Sequence, residues 1–107
     1  MTDLTREYPI CFASLFMLRK IKDTKTSRHF VWPDEGDFDE DGLWEFNEEH
    51  ADFDPLWVDP TTASALVLVY EALEKEATRE KFEHMIAQHR GTFGLTVEFA
   101  WKHVSPK

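Results

Sequence analysis

Thr92-Phe93-Gly94-Leu95-Thr96-Val97-Glu98-Phe99-Ala100-Trp101-Lys102 decides how the rest of this chain is read. Phe93, Leu95, Val97, Phe99 and Trp101 alternate with Thr92, Gly94, Thr96, Glu98, Ala100 and Lys102. A period of two puts one face of a strand in a core and the other toward water, so this stretch predicts a strand. A strand needs partners, and three upstream stretches supply them. Residues 9–22 are apolar on both alternate faces, as a central strand would be, although periodicity alone leaves a short helix open. Residues 28–32 read as the returning strand after the polar turn at 23–27, and Pro33 ends it. Residues 43–47 give a third short strand, with Trp44 and Phe46 on one face and Glu45 and Asn47 on the other.

Between these and the last strand lies helix-forming sequence. Asp59 suits an N-cap and Pro60 a first helical turn, and Ala63, Leu66, Val67, Tyr70, Leu73 and Ala77 recur at helical spacing. The stripe slips near Thr78 and resumes at Phe82, Met85, Ile86 and His89. This predicts either one bent helix or two, with Thr78 capping the second and Gly91 stopping it. The expected class is α+β: a small, mostly antiparallel sheet of about four strands, order β-β-β-α-α-β, with one bent or two consecutive helices packed on one face. Residues 1–107 read as a single domain, large enough to bury a core without disulfides, with an acidic irregular segment at 34–59.

That segment dominates the electrostatics. Residues 34–59 hold twelve Asp or Glu and no Lys or Arg, so they carry −12 of a net −9, leaving about +3 for the remainder by subtraction. Like charges at this density repel and weaken a compact state unless something positive compensates. Such a balance disfavours direct binding to nucleic acid or anionic membranes, which need basic neutralisation. It suits a basic protein surface. Phe38, Trp44, Phe46, Phe53 and Trp57 interleave with the carboxylates, unlike a disordered acidic tail. The expected partner-binding residues are Asp37, Asp39, Glu40, Asp41, Glu45, Glu48, Glu49, Asp52 and Asp54, steering a basic partner such as a nucleic-acid-binding enzyme. In composition alone, the chain resembles small inhibitors of nucleic-acid enzymes, including DNA-mimic proteins and immunity proteins of nuclease toxins. That resemblance implies a non-enzymatic interaction module whose carboxylates imitate phosphates.

Two other readings use the same region. Asp37-Phe38-Asp39-Glu40-Asp41-Gly42-Leu43-Trp44-Glu45-Phe46-Asn47-Glu48 resembles an EF-hand loop over twelve residues, with Asp37, Asp39 and Asp41 at alternate places, Gly42 at the sixth and Glu48 at the twelfth. The resemblance implies calcium held by Asp37, Asp39, Asp41 and Glu48, yet Pro33 and Gly36 stand where the incoming helix should run. Alternatively, a basic hairpin tip (Arg19, Lys20, Lys22, Lys25 and Arg28 against Asp23) neutralises the acidic segment within one chain or between the copies of a homodimer. Trp32, Trp44, Trp57 and Trp101 could also line a pocket for a small molecule.

No catalytic constellation is legible. Glu80 and His84 sit one helical turn apart, an ordinary surface pair, and Ser14, Ser27, Ser64 and Ser105 lack a nucleophile-elbow context. Cys11, the single cysteine, lies in an apolar run as a core residue would, and points to a reducing, cytoplasmic setting. The apolar run from Ile10 to Leu18 is too short to span a bilayer, and Asp3 and Glu7 do not make the positive leader of a signal peptide.

Overall fold

The computed structural model describes residues 10–104. The class is α+β, as expected, but two elements read as strands are helices. Among the described residues the order is β1 (Ile10–Phe12), α1 (Leu15–Thr24), β2 (Arg28–Val31), β3 (Gly36–Phe38), β4 (Trp44–Phe46), a 3-10 turn (Glu48–His50), β5 (Leu56–Val58), α2 (Pro60–Ala72), α3 (Glu76–Gln88) and α4 (Arg90–Val104). The strands form two sheets, one ordered β1-β2-β5 and one made of β3 and β4.

Residues 90–104 are α4, not a closing strand. Its buried positions are Phe93, Thr96 and Ala100, with Val97 half-buried, spaced three and four apart; Leu95, Phe99 and Trp101 are exposed. The apparent alternation comes from two interleaved helical stripes, one facing the core and one facing out. The helix starts on a reciprocal cap. The Thr92 amide donates to His89 Nδ1 (3.3 Å), while Thr92 Oγ1 accepts from the His89 amide (3.3 Å). Gly91 therefore lies in the first turn of α4 instead of stopping α3.

The 9–22 run also divides. After three strand residues, the Ser14 hydroxyl accepts from the Met17 amide (3.1 Å) and caps α1, which buries Leu15, Leu18 and Ile21 at three-residue intervals. Of the expected hairpin tip, Arg19, Lys20, Lys22 and Lys25 thus belong to a helix and its C-cap, and Arg28 opens β2. Lys22 lies in the last turn, and Lys25 takes the left-handed conformation (φ 57°) at the C-cap. There, cations meet the negative end of the helix dipole.

Since β1 and β2 are parallel, α1 must run back along them to connect end to start. β2, flanked by β1 and antiparallel β5, is buried on both faces: Phe30 and Trp32 on one, His29 and Val31 on the other. Phe30 and Trp32 meet Phe93 of α4 at ring distances of 5.7 and 5.4 Å. Leu18, Ile21, Leu66 and Ile86 complete the core from α1, α2 and α3.

Asp59 caps α2 as expected, its carboxylate accepting from the Thr62 amide (2.9 Å). The break after α2 comes at 73–75, not at Thr78. Arg79 explains it: its guanidinium donates to the Leu73 and Glu71 carbonyls (2.7 and 3.3 Å), satisfying the end of α2, and stacks over Tyr70. Among the described residues no helix is long and apolar enough to cross a membrane.

Candidate functional site

The acidic segment is a structured projection. Trp32, Pro33, Asp34 and Glu35 make a β-turn closed by the Glu35 amide on the Trp32 carbonyl (2.9 Å), with proline at the second place, where its fixed φ fits. The chain then enters the β3–β4 hairpin. Its register pairs Gly36 with Phe46, Asp37 with Glu45 and Phe38 with Trp44. Gly36 is required, because a Cβ there would strike the Glu45 carbonyl oxygen. At the tip, the Gly42 amide donates to the Asp39 carbonyl (2.9 Å), and Gly42 adopts φ 80°, the left-handed position such loops reserve for glycine.

Strand pleating separates the hairpin into an aromatic and an acidic face. Phe38, Trp44 and Phe46 share the first. Phe12 at the end of β1 meets Phe38 at 5.3 Å and Trp44 at 5.7 Å, and the edge-to-face row continues through Phe46 to Phe53. Each such contact contributes about 0.5–1.5 kcal/mol beyond burial. On the opposite face, Asp37 and Glu45 stand directly across from each other, both exposed. Like charges in that position repel.

The other expected partner-binding residues, Asp39, Glu40, Asp41, Glu48, Glu49, Asp52 and Asp54, are exposed too. Asp39 is turned inward on its own loop: its carboxylate accepts from the amides of Asp41 and Leu43, each at 2.9 Å. The EF-hand resemblance is one of sequence spacing: among the described residues no α-helix flanks the loop on either side. Residues 37–48 form a hairpin and a 3-10 turn, one of the four expected ligands is committed to backbone, and no metal-holding group of three His, Cys, Asp or Glu is found among the described residues.

The residue that sequence reasoning missed is Glu35. It is 1 % exposed and takes a two-pronged ion pair from Arg90, with Nε to Oε2 at 2.7 Å and Nη2 to Oε1 at 3.0 Å. Arg90 Nη2 also donates to the Asp54 carbonyl (3.0 Å), and the guanidinium lies between the rings of Trp32 (5.3 Å) and Phe53 (4.9 Å). A single side chain at the start of α4 thus fastens both ends of the acidic segment. Asn47 helps at its middle, donating to the Asp34 carbonyl (3.1 Å) and accepting from the His50 amide (3.2 Å).

Arg90 is the one Lys or Arg among the described residues that ion-pairs with the 34–59 segment. Arg19 pairs with Glu71 and Lys22 with Asp23. Lys25 and Arg28 lie near or at the start of β2, while the hairpin leaves from where β2 ends. At about 3.3 Å per residue, four strand residues keep them roughly 10 Å or more apart. The four tryptophans occupy separate places: Trp32 in the core, Trp44 on the hairpin, Trp57 exposed on β5 and Trp101 exposed on α4. Phe53 and Trp57 are 40 % and 53 % exposed.

Cys11 on β1 is half-buried, and burial pushes its thiol up despite the opposing pull of Arg28. A thiol held protonated is a poor nucleophile. Fold and site together define an α+β protein bearing an ordered, charge-segregated acidic hairpin. Comparison with protein families, curated proteins and solved structures found no match to this chain.

Proposed function

We propose that the 34–59 segment docks on a basic protein surface, with carboxylates occupying positions that phosphates would otherwise take. The observation that carries this reading is the unneutralised acidic face of an ordered hairpin. Asp37 and Glu45 repel one another across the strands, and Glu40, Asp41, Glu48, Glu49, Asp52 and Asp54 are exposed without an ion pair to any described Lys or Arg. A fixed array of charge speeds encounter with a basic partner and loses little entropy when it docks. Exposed Leu43 at the hairpin tip offers apolar anchoring. With a nucleic-acid-binding enzyme as partner, the mechanism is competitive occlusion of the phosphate track.

The test is affinity capture from the native host with two baits, the natural chain and a variant carrying Asp37→Asn, Asp41→Asn, Glu45→Gln and Glu48→Gln. Asp39 stays untouched because it holds the turn. The natural bait is expected to retain a basic protein that duplex DNA displaces, and the variant to lose it. Equal retention by both baits would end the proposal.

A further inference from the structure

The second stripe of α4, which disguised the helix as a strand, faces largely outward, with Phe99 touching the core at Phe82 (ring distance 6.2 Å). Leu95 and Phe99, one turn apart, are 54 % and 40 % exposed, and Leu68 on α2 is 57 % exposed. An apolar groove of about 320 Å³ runs on each side of this ridge. One lies between α3 and α4, over Phe82 and Met85; the other lies between α2 and α4, over Val69 and Ala72. Leu73 and Phe99 line both, so the grooves and ridge form one continuous surface.

We propose that this surface is a two-fold contact between two copies of the chain, with the Leu95–Phe99 ridge of each copy seated in a groove of the other. The shape supports it. Helices pack by setting ridges into grooves, and a two-fold contact requires one patch to present both. Charge supports it as well. Residues 60–104 contain six Glu against five Lys or Arg, close to balance, whereas residues 34–59 carry −12. Nothing on these three helices steers a strongly charged partner, and two strongly acidic molecules meet there with the least repulsion. Exposed apolar side chains that adjoin one another, unlike scattered ones, mark interaction sites. The proposal is independent of the acidic-surface reading, since the contact leaves the hairpin out.

Sedimentation equilibrium of the full chain, at low and high salt, tests it. The expected result is a dimer at about 100 µM that added salt leaves intact or tightens, as apolar contacts behave. Leu95→Glu, with Leu68→Asp as a second variant on another helix, should each give a monomer with unchanged circular dichroism. Chemical-shift changes on dilution should centre on Leu68, Leu95 and Phe99. A wild-type monomer at that concentration overturns the proposal, and so does a monomer shown by native mass spectrometry to carry a small apolar molecule. A dimer that survives both variants, or that loosens with salt as a charge-paired one would, also overturns it.

Discussion

Glu35 and Asp37 are two residues apart and have opposite fates. Glu35, at the root of the hairpin, is buried and gripped by Arg90 between two aromatic rings. Asp37, on the outer face, is exposed and confronts Glu45. At the root, charge is neutralised and holds the fold together; on the face, it is unneutralised and works against it. A run of carboxylates is therefore not one feature. What separates its members is a cation fifty-five positions along the chain, delivered by the start of α4.

The sharpest way to break that contrast is Arg90→Ala. It leaves the Glu35 carboxylate buried without its partner, and urea denaturation should show a loss of about 3–5 kcal/mol. Hydrogen exchange of the β3 and β4 amides should rise with it. A loss under about 1 kcal/mol would reduce the root to an ordinary surface pair. Asp39→Ala should cost about 1 kcal/mol by freeing the Asp41 and Leu43 amides, while Asp39→Asn, which keeps an acceptor oxygen, should be nearly neutral. On the face the sign reverses. Asp37→Asn combined with Glu45→Gln should raise stability by a few tenths of a kcal/mol, measurable as a higher denaturation midpoint. A decrease would mean those carboxylates are engaged after all.

Alkaline pH gives the smallest effect. Burial raises the Cys11 thiol above its ordinary value of 9.0, so the folded chain holds that proton more tightly than the unfolded one. The associated stability is full below about pH 9 and declines as pH climbs through the folded-state value. Cys11→Ala should flatten that decline, and iodoacetamide should modify the native thiol more slowly than the unfolded one.

The contrast between root and face also shows what sequence could and could not reveal. Local signals were legible. Asp59 and Pro60 announced α2, Trp44 and Phe46 marked a strand face, and Arg28 to Val31 emerged as β2. Misreadings arose where two patterns overlapped. In α4, a core stripe and an outward stripe combined into a false period of two. In residues 9–22, a short strand and a helix merged into one apolar run. The carboxylate tract was obvious, but Glu35 had no local mark to distinguish it, because its burial depends on Arg90 arriving from another element. The capping pair His89 and Thr92 was similarly hidden, since neither is the usual residue for its place.

Thermal melting across a salt series, for the natural chain and for the variant with Asp37→Asn, Asp41→Asn, Glu45→Gln and Glu48→Gln, tests most directly whether the acidic face lacks internal compensation. Screening relieves repulsion between exposed charges but scarcely reaches the buried Glu35–Arg90 pair. The natural chain should therefore melt higher as salt rises, and the variant should melt higher at low salt with a shallower response. A natural chain that loses stability with salt, or a variant that melts lower throughout, would mean the carboxylates are already spent inside the molecule.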